Sequence, residues 1–255
     1  MNHHDARAPA DVRVIGLAGL PELEHGDDLG HLIAAAAARV GGLEPGDIVV
    51  VAQKAVSKVE GRVVHLEDVE PSALAAELAG ADGDPRQVEV ILQESAEIVR
   101  SRPPLVIAQT RHGFVCASAG VDASNAKGPG TLILLPVDPD RSAARLREEI
   151  ERRTGVAPGV IVSDSFGRAW RQGTTDVALG IAGIAALRDL RGTRDSRGYE
   201  LRSTLIAVAD EIAGAAELVM GKAAGVPAAI VRGVRAPGDG RGVDLLMPRE
   251  RDLFR

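Results

Sequence analysis

Short runs of β-branched residues recur along this chain, each closed off by Gly, Pro or an acid, with Ala-rich stretches of helical character between them. "DVRVIGL" and "DIVVVAQ" (47–53) are two such runs and read as strands. Between them "DDLGHLIAAAAARV" opens on acids and continues in helix formers, so it reads as a helix. "PSALAAELAG" and "DPRQVEVILQESAEIVRS" read as two more helices, the second with Asp84 as N-cap and Pro85 at its first helical position. "PPLVIAQTRHGFVCASAG" holds two alternating runs split by Arg111, His112 and Gly113, the pattern of a hairpin, and "TLILLP" is a short buried strand. A solvent-facing helix is expected from Pro139 to Gly155, a long helix in "TLIAVADEIAGAAELVMGKAAG" and a late strand in "AAIVRGV". Strands and helices mix without the strict alternation of a Rossmann or barrel fold. The pattern predicts an α+β fold with mixed or antiparallel sheets, flanking helices and room for two interleaved lobes.

Aromatic residues make up only 2 % of the 255 residues, so the core must be built from Ala, Val, Leu and Ile. Trp170, Tyr199 and Phe166 are the scarce ring platforms, and each is expected to pack inside. A net charge of −6 gives no footing for a nucleic-acid or anionic-membrane partner. The lone Cys116 excludes an intramolecular disulfide framework and fits a reducing cytoplasm. The polar N-terminus lacks the apolar centre of a signal peptide, and no apolar run approaches the roughly 20 residues of a membrane span. A soluble, cytoplasmic protein is expected.

Familiar nucleotide and hydrolase signatures fail on inspection. "LVMGKAAG" carries Gly221-Lys222, but Ala216 and Ala223 stand where a P-loop needs Gly and a hydroxyl residue. No G-x-G-x-x-G follows a strand. The six His form no H-E-x-x-H, and His3 and His4 fall in a terminus expected to fray. "SDSFG" lacks the nucleophile elbow.

Two stretches share one grammar: "GFVCASAGVDASN" (113–125) and "GVIVSDSFGRAWRQGTTD" (159–176) each run from an apolar strand into an acid and then a loop. Asp122 and Asp164, with the hydroxyl of Ser165, are hard oxygen donors suited to Mg²⁺ or Mn²⁺, which would matter if a triphosphate is bound. The other reading of both acids is turn capping through their own side chains. Arg168 and Arg171 follow Asp164 in the same expected loop, and Lys54 and Lys58 follow the strand "DIVVVAQ". Such cations beside carboxylates suit an anionic phosphate, although each alone could be a solvated charge.

Taken together, "GLPELEHGDDL", "VVAQKAVSKVEGR", "GFVCASAGVDASN", "VIVSDSFGRAWRQG" and "ELVMGKAAGVPAAIVRG" resemble the coenzyme F(420)-0:γ-glutamyl ligases, in that family's order and over nearly the whole chain. The tail "MPRERDLFR" resembles the end of the bacterial ligase domain. The resemblance implies a ligase domain over 12–243, after a flexible segment 1–11 and before a tail 244–255. It implies GTP-dependent ligation: the phospholactyl carboxylate of coenzyme F(420)-0, or of its dehydro form, is phosphorylated, and the amino group of L-glutamate displaces phosphate. It further implies Mg²⁺ or Mn²⁺, with K⁺ as an additional ion, and a homodimer. By the same resemblance Leu20, Pro21, Glu22, Leu23, Gln53, Lys54, Lys58, Asn125, Met220, Gly221, Lys222, Gly225 and Val226 contact GTP, and Asp122, Asp164 and Ser165 hold metal. Arg168 and Arg171 are the charge-stabilising candidates. Two features depart from the family pattern: Lys222 stands where archaeal members carry a metal-binding Glu, and Gln53 and Lys54 replace small hydroxyl residues. A nucleotide-binding regulator without chemistry and a metal-dependent phosphohydrolase are the competing functions.

Overall fold

A computed structural model describes residues 11–254, so the flexible segment expected over 1–11 and the two N-terminal histidines fall, Asp11 apart, outside the described residues. The chain runs β1 (Arg13–Gly16), α1 (Leu29–Arg39), β2 (Ile48–Ala52), α2 (Gln53–Val59), β3 (Val63–His65), α3 (Ala73–Ala79) and α4 (Pro85–Glu94). It continues through β4 (Ser95–Arg102), β5 (Leu105–Thr110), β6 (Val115–Ala117), β7 (Thr131–Ile133) and α5 (Pro139–Thr154). The remainder is β8 (Gly159–Arg168), β9 (Arg171–Ala182), β10 (Arg188–Asp189), β11 (Leu205–Ile206), α6 (Val208–Met220) and β12 (Ala228–Arg232).

The main sheet has the order β1-β12-β2-β8-β9. β2 and β8 pair in parallel, and the other neighbours are antiparallel. Alternate residues of a strand point to opposite faces. Val49, Val51, Val160, Val162 and Ile230 therefore pack under α1 and α5, while Ile48, Val50, Ile161 and Val231 pack under α6. With both faces covered, the central strands read as uninterrupted apolar runs, and each buried Val or Ile contributes about 1.5–3 kcal/mol. Small residues set how closely the helices approach. Ala209, Ala213 and Ala216 press α6 onto the sheet, and a Cβ at Gly180 would lie 2.1 Å from the carbonyl oxygen of Pro139 at the start of α5. The Ala and Gly-rich segments thus serve the chain's own core.

A second group of elements lies between α2 and α5 in sequence. It holds the antiparallel sheet β4-β5-β6 and the pair β3-β7, joined by a core of Leu66, Val90, Ile91, Val106, Val121 and Leu132. Strands of the main sheet come from either side of this insertion, and the α+β expectation stands.

Three readings are corrected. The stretch 84–101 is not one helix: α4 ends at Glu94, and Ser95 is already extended at φ −93 and ψ 141. Asp84 caps α4 as expected, accepting from the Arg86 amide at 2.9 Å. Arg62 grips Glu94 at 2.7 Å, and the residues beyond it gain a ladder with β5 that no isolated helix could offer. The Gly and Arg-rich loop after Asp164 is instead the far half of the β8-β9 hairpin, with Asp164 and Ser165 inside β8. Two of the three aromatics do not pack inside. Trp170 is 88 % exposed at the hairpin tip, 4.7 Å from the ring of Phe254, and Tyr199 is 67 % exposed. Phe166 alone is half-buried, edge-on to Phe114 at 6.3 Å. Among the described residues no helix is long and apolar enough to cross a membrane.

Candidate active site

β2 ends at Ala52 and α2 begins at the next residue, so the chain turns sharply at the edge of a cleft of about 650 Å³. Residues four apart on a helix share a face. Gln53 and Ser57 point inward, the Ser57 hydroxyl donating to Gln53 Oε1 at 2.9 Å, while Lys54 and Lys58 line the cleft. The Gln53 amide nitrogen Nε2 is buried with no partner. A buried donor left unpaired costs about 1–3 kcal/mol, which a ligand acceptor would recover.

Three loops complete the enclosure. Leu20, Pro21, Glu22 and Leu23 form one wall, and Asn125 and Lys127 a second. Met220, Gly221, Lys222, Gly225 and Val226 form the third, after α6. Asn125 adopts a left-handed φ of 58, which Asn tolerates better than most residues, and its amide reaches the Lys222 carbonyl at 3.5 Å. Lys58 pairs with Glu22, and Lys127 with Glu24 at 2.6 Å, so two ion pairs tie the first loop to its neighbours.

Asp122 and Asp164 both border a smaller cavity beside the cleft, and Asp164 borders the cleft as well. Asp122 is held by a backbone bridge to Ile133, where its N–H donates at 3.0 Å and its carbonyl accepts at 2.8 Å. Its carboxylate accepts from Lys54 Nζ at 2.6 Å and from the Ser124 amide at 2.7 Å. Burial pushes this carboxyl up, but the bonds from Lys54 and Ser124 outweigh it and hold it below the usual range. Asp164 has no such ammonium bond of its own. Burial, together with the charges of Asp176 and Asp122, pushes it up to about 7 against the pull of Lys54 and the Ser165 amide. Asp122 does close its own turn, as the capping reading has it, yet its carboxylate also bonds Lys54, which lines the cleft, while Asp122 itself borders the neighbouring cavity.

Asp176 and Glu217 line the cleft and were missed by the sequence reading. Asp176 is 5 % exposed on β9 and accepts from the Ser163 hydroxyl at 2.7 Å. Burial raises both carboxyls, and the charge of Lys222 opposes the rise in each. A signal for Asp176 existed: it stands directly before the apolar run "VALGIA", as Asp47 stands before "IVVV". Arg168 and Arg171 do not join this group. They pair across the exposed hairpin tip and border neither the cleft nor the smaller cavity beside Gln87 and Cys116. The strand carries them past the acids because β8 continues for four residues beyond Asp164.

Asp122, Asp164 and Ser165 are hard oxygen donors of the kind Mg²⁺ or Mn²⁺ takes. Among the described residues no three acids, His or Cys gather closely enough to hold an ion by themselves. Two carboxylates and a hydroxyl fit an ion that completes its shell with phosphate oxygens and water, which is how Mg²⁺ is commonly bound with nucleotides.

A family model described as F420-0:Gamma-glutamyl ligase matches residues 19–233. The chain belongs to this family. The coenzyme F420:L-glutamate ligase of Methanocaldococcus jannaschii is 46 % identical over 250 residues, covering 96 % of this chain and 97 % of that protein. The ligase of the same name from Methanothermobacter thermautotrophicus is 45 % identical, covering 96 % and 99 %. That from Methanopyrus kandleri is 47 % identical over 237 residues, covering 90 % and 92 %. As a member of the γ-glutamyl ligase family the chain is an enzyme that joins two molecules, and all four walls of its cleft fall inside the matched span.

Proposed function

We propose that this chain joins L-glutamate to the phospholactyl carboxylate of coenzyme F420-0, or of its dehydro form, at the expense of GTP. The observation that carries the reading is the convergence of four separate segments on one cleft, where Lys54, Lys58, Lys127 and Lys222 face Asp164 and Asp176. Four ammonium groups match a triphosphate, and the pairs that Lys54, Lys58 and Lys127 make with protein carboxylates can be exchanged for phosphate oxygens.

A carboxylate resists amines until it gains a leaving group. Its oxygen attacks the γ-phosphorus, the bond from that phosphorus to the β-phosphate oxygen breaks, and GDP departs. The amine nitrogen then forms a bond to the acyl carbon, and the bond from that carbon to the phosphate oxygen breaks. Of the two protons the ammonium loses, one leaves on inorganic phosphate and the other goes to solvent. Lys54 and Lys58 would balance the phosphate charge from a rigid helix face, and Gln53 Nε2 would donate to the nucleotide. A divalent ion held by Asp122, Asp164 and Ser165 would supply further positive charge at the β- and γ-phosphates. Repetition on the product would add further γ-linked residues. The same reading makes the enzyme a cytoplasmic homodimer in which K⁺ serves as an additional ion.

Incubation with GTP, Mg²⁺ or Mn²⁺, L-glutamate and the glutamate-free coenzyme should give products heavier by one or more glutamyl units by mass spectrometry. Phosphate release without any mass gain would instead mark a phosphohydrolase.

A further inference from the structure

The β8-β9 hairpin runs on past the site acids and ends in a tip to which the ligase reading gives no task. Arg168 and Arg171 are exposed β-partners there, and among the described residues neither guanidinium has an ion-pair or hydrogen-bond partner. Like charges directly opposite each other in a ladder are destabilising. Trp170 stands between them in sequence at a left-handed φ of 56, 88 % exposed, with the Phe254 ring 4.7 Å away. A bulky residue in that backbone region is strained, so an anion with a flat ring attached would relieve the arginines and cover the indole. Between this tip and the nucleotide cleft lies the smaller cavity, about 340 Å³, bordered by Asp164, Ser165, Phe166 and Gly167 of β8. Asp164 and Ser165 border the cleft as well. One strand therefore leads from the shared wall, along the cavity, to the tip; at about 3.3 Å per residue, Asp164 and Arg168 lie roughly 13 Å apart.

We propose that the hairpin seats the coenzyme: its phospholactyl end enters the smaller cavity with the carboxylate at the Asp164 and Ser165 wall, Arg168 and Arg171 bind the phosphodiester, and the fused ring lies against Trp170. The proposal rests on the ligase reading above and adds where one of its substrates binds. Carboxylate, phosphodiester and ring follow one another along the coenzyme in the order in which wall, arginines and indole follow one another along the chain. L-glutamate has neither phosphate nor ring, and GTP has no carboxylate. The acids bordering the cavity do not exclude a carboxylate, because Lys54 balances Asp122 and a divalent ion on Asp122, Asp164 and Ser165 would make that wall positive. Gln87 adds a neutral donor, its side-chain amide having no hydrogen-bond partner among the described residues. A carboxylate on one side of the wall and a γ-phosphate on the other are then neighbours, as phosphoryl transfer between them requires.

Trp170 is the chain's single tryptophan, so its fluorescence reports on the tip alone. Titration of the full chain with the glutamate-free coenzyme should quench that emission, and L-glutamate should not. In calorimetric titration with the same coenzyme, Arg168→Ala, Arg171→Ala and Trp170→Ala should each bind about tenfold more weakly, with GTP affinity unchanged. In turnover the KM for the coenzyme should rise by a similar factor while those for GTP and L-glutamate stay constant. Coenzyme binding by calorimetry without any quenching, or with wild-type affinity in all three variants, would overturn the seat and leave the ligase reading intact. An altered oligomeric state in Trp170→Ala with coenzyme affinity unchanged would assign the tip to contact between copies and overturn it likewise. A wild-type chain that neither binds the coenzyme nor adds glutamate to it would sink the ligase reading, and the seat with it.

Discussion

Asp164 is the residue on which the site's electrostatics turn. Its carboxyl stands near 7 because burial and two neighbouring acids disfavour the charge. A folded-state value raised above the unfolded one means the folded protein holds that proton more tightly. The group therefore costs nothing below the unfolded value of 3.8, becomes destabilising as pH rises from there, and exerts its full cost above about 7. With allowance for solvent screening, Asp164→Asn should stabilise the ligand-free, metal-free protein by about 2 kcal/mol at pH 8, roughly 5 °C in Tm, and by little at pH 4. Thermal unfolding across that range checks the sign; a gain at pH 4 that vanishes at pH 8 would contradict it. Activity should move the other way. Asp122→Ala and Asp164→Ala should each lower kcat by about a thousandfold or more with the circular dichroism spectrum unchanged, since charge balance at a transferring phosphoryl group supplies several kcal/mol.

At the scale of elements, the acids are delivered by strands whose position depends on a few polar ties. Asp140, in the first turn of α5, accepts from the Ile181 amide at 2.9 Å and the Gly242 amide at 2.8 Å, joining helix, β9 and the C-terminal region. Asp140→Ala leaves two half-buried amides without a partner and should cost about 2–4 kcal/mol in urea unfolding, whereas Asp140→Asn keeps an acceptor and should cost less. Gly180→Ala should be at least as damaging, because its Cβ would meet the Pro139 carbonyl and force α5 off the sheet. Elements with strong local signals were legible: the cap Asp84, the prolines at the starts of α4 and α5, and Gly155 in left-handed backbone at the end of α5. The end of α4 was not. "QESAEIVRS" has no Gly or Pro to stop a helix, and its conversion to β4 depends on β5 lying alongside.

For the whole molecule, the cleft is assembled from segments as distant as Leu20 and Val226, so a nucleotide that bridges them should stabilise the fold as one unit. GTP with Mg²⁺ at about a thousand times its Kd adds about 4 kcal/mol, or roughly 10 °C in Tm. Differential scanning calorimetry with GTP against ATP measures both the effect and its base preference. Lys58→Ala should reduce the shift, because it removes one cation and frees Glu22 from its pairing.

Composition and spacing alone were enough for the α+β class, the aliphatic core, most element boundaries and the nomination of Asp122, Asp164, Lys54 and Lys58, since burial patterns, caps and strand-end acids are local properties of the chain. They could not show that Asp176 and Glu217 enter the cleft, that Arg168 and Arg171 leave it, or that a second, acid-lined cavity backs onto the first. Those facts depend on strand pairing: the register of β8 against β9 sets which side chains share a face and how far the hairpin runs beyond the acids. Pairing energy comes from partners remote in sequence, and no short segment contains it.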